Sequence, residues 1–338
     1  MTTINDVARV AQVSRSTVSN FLRGSYHLMS PRTQERLRQV VAALDYQPSA
    51  LAQGLRSKQT RALAVLVPNI ENPFFASFVR GVQDAAHQHD WMVWIGNSDG
   101  DLTEEIEFLR ACRQKRVDGV VISPARLDAT TLAAQLSNQI SAVCIGPQID
   151  VPNLDTVAID PESASHEATS HLLAIGCRTI GFISGPRSLG HLQPRIAGYL
   201  RALNEAGVDS EEAWIRDGEA SFAGGYARTR GLLTAESRLD GLIVTQSQIA
   251  LGAMVALHES GMTVPDDVAV MALDDCDAYR ALVPALSGIT LPQYQMGKCA
   301  GEMLLERVHS PTNLPARRVV LPYHLVIRGS TRKASGSA

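Results

Sequence analysis

Apolar residues recur at helical spacing through the first 46 positions, and then the period changes. Ile4, Val7, Ala8 and Ala11 fall on one helical face. So do Val18, Phe21 and Leu22, and later Leu37, Val40, Val41 and Leu44. Three short helices sharing one small core are predicted. Thr3 stands as N-cap of the first, with Asp6 at the favourable acidic position three residues on. Gln12 and Val13 make the turn, Ser14 caps the second helix and Gly24 closes it. Ser30 caps the third, Pro31 takes its first position, and Tyr46-Gln47-Pro48 ends the unit.

From Leu63 onward, strand and helix patterns alternate. Short apolar runs at 63–67, 91–95, 119–123, 142–146, 156–159, 180–184, 241–245 and 268–273 read as buried parallel strands. Amphipathic helices are predicted at Phe74–Gln88, Thr103–Arg116, Thr130–Gln139, Pro161–Ile175, Arg195–Ala206, Ala223–Leu233 and Ile249–Ser260. A helix around Met296–Arg307 and closing strands near Arg318–Leu321 and Leu325–Arg328 follow. The body is therefore α/β, doubly wound, in two lobes. Ligands bind such folds beyond the carboxyl ends of the strands. The residues there are Asn69, Asn72, Asn97, Asp99, Ser123, Asp160, Thr245, Gln246, Asp274 and Asp275. This polar, weakly charged set suits a polyol or a nucleoside. Trp91 is expected in the core, with Trp94 near the cleft.

Between the two patterns lies SALAQGLR, about two turns long and weakened by Gly54. It reads as a linker that is helical only when held, or as a flexible tether. Residues 332–338 read as a disordered tail.

Opposite the apolar side of the second helix sit Arg15, Ser16, Asn20 and Arg23. A short helix pinned by its inner face and presenting these residues suits a DNA major groove, where Arg forks onto guanine and Asn onto adenine. A plain helical hairpin with a polar surface has the same spacing. Charge separates the two readings. Residues 1–60 carry eight Lys/Arg against three acids, whereas the other 278 residues carry 23 against 31. A basic head on an acidic body fits a head that meets phosphate.

The remaining chemistry is mostly negative. Five scattered cysteines contain no CxxC pair, so neither zinc nor a redox pair is indicated. The opening residues lack a leader pattern and no run reaches membrane length, so a cytoplasmic protein with no membrane partner is expected. His166-Glu167 with His171 fails as a zinc-protease motif, because histidines five apart lie about 140° apart around a helix. Gly185 to Gly190 has the spacing of a phosphate loop, but His191 and Leu192 replace its Lys and Ser/Thr. GFISG is not a nucleophile elbow. Asp274-Asp275 reads as a ligand hydrogen-bonding pair more readily than as an acid/base pair. No enzyme, cofactor or metal is expected.

Taken together, TINDVARVAQVSRSTVSNFLRG (3–24), Tyr46-Gln47-Pro48, NPFFASFVRGVQDAA (72–86), RQKRVDGVVISP (113–124), HLLAIGCRTIGFISGP (171–186), RIAGY (195–199) and HLVIRGST (324–331) resemble, in order and spacing, the LacI/GalR-type bacterial transcriptional regulators. The resemblance runs from about residue 3 to 331. It implies a three-helix helix-turn-helix head (1–46), a hinge helix and linker (47–60) and a periplasmic-binding-protein-like core (61–331). The core's N-lobe would span about 61–160 and 291–322, and its C-lobe about 161–290 and 323–331.

By position, Arg15, Ser16 and Asn20 match the family's base-reading residues. Thr3, Ser14, Thr17 and Arg23 complete the DNA-contacting set in the head. Ala52 and Leu55 match hinge positions that enter the minor groove, where Leu55 would wedge a base step. Arg195 matches an effector-bonding arginine, Phe74 and Phe222 the aromatic lining, and Ser123, Asp160 and Asp275 polar positions of the pocket. Gln246-Ser247 departs from the Asn-Asp usual in sugar-binding members and removes a two-oxygen acceptor for vicinal hydroxyls. Leu189 stands near an arginine of the purine-binding kind, so a purine is not predicted.

The resemblance thus implies a transcriptional regulator, acting as a repressor on double-stranded DNA with a pseudo-palindromic operator. Its small-molecule effector would be a sugar or sugar derivative bound between the lobes. No leucine heptad follows Arg328, so a homodimer is expected. A periplasmic-type binding protein without DNA function is the alternative; it would call for an export signal and no basic head.

Overall fold

The computed structural model describes residues 2–47, 59–136, 140–146, 149, 151–190, 192–236, 238–310 and 315–332. Met1–Arg61 and Ala62–Ala338 are two separate compact units. In the first, α1 (Ile4–Val10), α2 (Arg15–Leu22) and α3 (Pro31–Ala43) form as their caps predict. Thr3 and Asp6 close a reciprocal capping box, and Ser14 and Ser30 each accept the amide three residues on. Gln12 turns the chain at φ +49° and Gly24 ends α2 at φ +74°. Val7, Ala11, Val18 and Leu37 are fully buried at the centre of this unit. Ala52, Leu55 and Gly54 of the predicted hinge, and the tail from 333, lie outside the described residues.

The second unit holds two six-stranded sheets. The first is built from β1 (Ala62–Val67), β2 (Met92–Asn97), β3 (Gly119–Ile122), β4 (Ser141–Ile145), β5 (Asp155–Ala158) and the late β11 (Arg318–Val320). Its order is β11-β5-β4-β3-β1-β2, and every pairing is parallel. The second contains β6 (Ile180–Ser184), β7 (Ile215–Asp217), β8 (Gly241–Val244), β9 (Ala269–Ala272), β10 (Ser287–Thr290) and β12 (His324–Val326). It runs β12-β10-β9-β8-β6-β7, with β12 antiparallel. In each sheet the winding reverses between two central strands, β1/β3 and β6/β8. The chain passes between the sheets three times, after β5, after β10 and between β11 and β12.

Helices flank both sheets: α4 (Pro73–His87), α5 (Leu102–Gln114), α6 (Ala129–Leu136) and α12 (Gln293–His309) on the first. On the second lie α7 (Pro161–Ala174), α8 (Gln193–Glu205), α9 (Phe222–Ala235) and α10 (Ser247–Glu259), with the short α11 (Asp277–Ala281). Gly252 of α10 lies so close under the Phe222 carbonyl that a Cβ there would collide with it.

Three expectations change. The run at 91–95 begins as foreseen with Trp91 buried, but β2 is an edge strand whose Met92, Trp94 and Ile95 are exposed. An edge strand packs on one neighbour only, so its apolar content does not imply burial. β7 and β10 lack the apolar runs that marked the others and went unforeseen.

The late strands are held by buried ion pairs. Asp155, fully buried on β5, accepts Arg307 Nη2 at 2.5 Å and Nε at 2.8 Å, and Arg317 Nη2 at 2.8 Å. The Arg317 amide adds a bond at 2.8 Å. Burial alone would raise this carboxyl; the Arg307 and Arg317 hydrogen bonds outweigh burial and hold it below the ordinary aspartate value. Its contribution is therefore present above about pH 4 and lost as the pH falls through its folded value. Asp155→Ala strands two arginines and is expected to cost about 3–5 kcal/mol at neutral pH, read from urea unfolding. That gap should narrow under acid conditions; a loss of a few tenths would show that the network does not hold β11.

Candidate functional site

On α2, Arg15 and Ser16 are exposed and Asn20 is half-exposed. Val18 and Phe21 lock the opposite face into the head core. The helix is thus fixed by its apolar side, and its polar side is free to meet a partner. Ser14 and Thr17 serve the helix end: Ser14 Oγ caps the Thr17 amide at 3.1 Å and contacts the Ser16 and Thr17 hydroxyls at 2.7 and 2.8 Å. Thr3 is exposed at the cap of α1. Arg23 folds back along its own helix, donating to Ser19 O at 3.2 Å, Ser19 Oγ at 3.0 Å and Asn20 Oδ1 at 3.3 Å. Among the described residues, Asn20 therefore makes no hydrogen bond through its NH2 group, while its oxygen is engaged by Arg23.

In the core, the two winding reversals place equivalent residues. The Ser123 amide bonds Leu66 O at 2.9 Å beyond β3, and the Thr245 amide bonds Ile183 O at 3.1 Å beyond β8. Phe74 sits in the first turn of α4 and packs against the main apolar cores of both halves. Its ring lies 5.0 Å from Phe75 and 6.5 Å from Phe78. Phe222, exposed, opens α9, and Gln246 stands at the N-cap of α10 without capping it. Arg195 lies in the first turn of α8. Burial presses its guanidinium toward neutrality, opposed by the nearby Asp274.

Asp275, matched above to a polar position of the pocket, is engaged by the protein itself. Its oxygens take Arg328 Nη1 and Nη2 at 2.9 and 2.7 Å and the Thr290 hydroxyl at 2.8 Å. The carboxylate electrostatically coupled to Arg195 is Asp274, buried, with Tyr279 Oη donating at 2.6 Å and the Ser247 amide at 2.8 Å. The sequence marks both aspartates as a candidate ligand-bonding pair, and the resemblance points to Asp275; nothing local separates their partners. Asp160 caps α7, accepting the Ser163 amide at 3.0 Å and hydroxyl at 2.7 Å; these bonds hold its carboxyl below the usual range. Two of the asparagines expected at the cleft hold its loops: Asn72 caps the Phe74 amide at 3.0 Å and Asn97 Oδ1 takes the Ile70 amide at 2.8 Å.

His166 pairs with Glu205 at 2.7 Å on the surface between α7 and α8. Among the described residues no His/Cys/Asp/Glu group could hold a metal ion, and no helix is long and apolar enough to cross a membrane.

Burial pushes the Asp274 carboxyl up to about 6, against the hydrogen bonds from Tyr279 and Ser247. The folded state then holds this proton more tightly than the unfolded chain. Its stabilising contribution is full below about pH 4 and fades as the pH rises through about 6. Asp274→Asn should therefore gain stability relative to the parent protein between pH 4.5 and 7.5, by about 2 kcal/mol at most, in paired urea titrations. A difference that does not vary with pH would show that Asp274 is not the buried acid described.

Residues 3–49 match the family described as bacterial regulatory proteins, lacI family, and residues 169–331 match the periplasmic binding protein-like domain. The chain is 33% identical over 332 residues to the ribose operon repressor of Haemophilus influenzae, covering 98% of each. Among solved structures it resembles the lac repressor dimer bound to operator and the anti-inducer ONPF, at 25% identity and a TM-score of 0.87, covering 98% of this chain and 99% of that one. It also resembles the transcriptional regulator CelR–cellobiose complex, at 27% identity and a TM-score of 0.73, covering 98% and 100%. Full-length similarity to repressors, with the head and core built as above, leads to one conclusion: the chain belongs to the LacI family of bacterial regulatory proteins and is a DNA-binding transcriptional regulator.

Proposed function

We propose that the protein is a cytoplasmic repressor, not an enzyme, whose head reads a pseudo-palindromic operator and whose core binds a carbohydrate-like effector that sets how firmly it holds. In this reading residues 1–46 are the head, 47–60 the linker and 61–331 the two-lobed core. The carrying observation is α2: Arg15 and Ser16 stand outward, and Asn20 half-outward, on a helix locked by Val18 and Phe21. Such a helix presents donors and acceptors to base edges without moving its backbone. The operator-bound lac repressor and the cellobiose-bound CelR support the two halves of the reading.

A single head reads few base pairs, so a symmetric dimer is required for specificity. The open edge of β2 supports it: Met92, Trp94 and Ile95 are 68%, 43% and 45% exposed, an apolar stretch that a second copy would cover. Effector closure of the lobes would shift the paired N-lobes and so favour or melt the linkers carrying Ala52 and Leu55. Reciprocity follows: an effector that loosens operator binding is itself held less tightly on operator.

Gel shifts with DNA upstream of the protein's own gene cluster test the reading. Asn20→Ala should lose about 10- to 100-fold on the cognate site, roughly 1–3 kcal/mol, and little on random DNA. Equal losses on both would make Asn20 a backbone or folding residue. Trp94→Glu should convert a dimer to a monomer in sedimentation; a dimer that persists removes β2 from the interface. Failure to bind any upstream fragment, with or without candidate effectors, would favour a binding protein without DNA function.

A further inference from the structure

Hydrogen-bonding capacity is lopsided beyond the carboxyl ends of β5, β8 and β9. Asp160, Asp274 and Asp275 supply six carboxylate oxygens, and every one already accepts a hydrogen bond from the protein. The donors nearby are free. Arg195 makes no hydrogen bond or ion pair among the described residues, although a guanidinium carries five N–H groups. Thr245 Oγ1 is buried without a partner. The Gln246 side chain leaves the start of α10 uncapped, so that turn offers amides and the positive end of its dipole. These groups belong to one place: Asp274 couples to Arg195 and binds the Ser247 amide of that same turn.

Arg195 is half-buried, but the buried Thr245 hydroxyl has no partner among the described residues, and such a group costs free energy until something supplies one. Building on the effector reading above, we propose that the effector carries an oxyanion, a carboxylate or phosphate on a sugar-like body, received by Arg195, Thr245 and the first turn of α10. Asp274 does not bar the anion. Burial already raises its carboxyl, so it can take up a proton as the negative charge arrives, which lessens the repulsion.

The test is calorimetric titration of the full-length protein with matched compounds: ribose and ribose 5-phosphate, then glucose, glucose 6-phosphate, gluconate and glucuronate, with sulfate as the bare anion. At least one oxyanion derivative should bind tenfold or more tightly than its neutral parent. The phosphate and carboxylate arms show which oxyanion the site takes. Arg195→Gln should abolish most of that preference, Arg195→Lys should keep part of it, and Thr245→Val should weaken it several-fold. If the Arg195 variants do not fold, the parent protein with Thr245→Val still decides.

A neutral parent that binds as tightly as its derivatives overturns the oxyanion inference and leaves the carbohydrate cleft standing. So does a preference that survives Arg195→Gln, or sulfate binding as tightly as any sugar derivative. No binding by any compound, neutral or charged, overturns this inference and the carbohydrate reading together.

Discussion

Two aspartates, Asp155 fully buried and Asp275 largely so, hold the late segment of the chain to the two sheets. Asp155 on β5 grips Arg307 and Arg317, and Asp275 beyond β9 grips Arg328. Between them they seat β11 in the first sheet and the segment after β12 in the second. Without the first grip, β11 is a three-residue strand with little apolar surface to bury. A charge so deeply placed is stable only when paired, so the pairing is all-or-none and the late segment docks in a single register. Because that segment passes from one sheet to the other, it helps define the hinge around which any closure turns.

The candidate pocket residues gather where the sheets reverse their winding, so on the proposed reading closure would bring the two walls together. Ser123 and Thr245 occupy equivalent places beyond β3 and β8, and Phe74 bridges the cores on either side. The first sheet's loops use their asparagines on their own amides, which makes that wall shaped but chemically quiet. Among the described residues, the side chains of Arg195, Thr245 and Gln246 on the second wall make no hydrogen bond. On the proposed reading, recognition would be asymmetric, with shape and aromatic surface from one wall and polar contacts from the other.

The head follows a different rule. Its helices are short and gain stability from caps and from a handful of buried residues, all close in sequence. The same local bonds set the reading surface, since Ser14 fixes the start of α2 and Arg23 shares the oxygen of Asn20. An exchange of partners on meeting DNA would release that oxygen without moving the helix.

Local chemistry is what the sequence by itself determined. The capping box at Thr3, the N-caps at Ser14 and Ser30, the Asp160-Pro161 helix start and most buried strands depend on neighbours within a few residues, and periodicity reports such neighbours faithfully. Tertiary structure alone decided which side of the apolar run at 92–95 meets solvent, because that depends on β2 being last in its sheet. It decided that Ser287–Thr290 becomes a strand, because its partners arrive from residues 271–272 and 324–326. It also assigned the roles of Asp274 and Asp275. One meets an arginine 53 residues away and the other turns inward to a tyrosine and a helix end. Two identical side chains side by side carry no mark of partners brought to them only by folding.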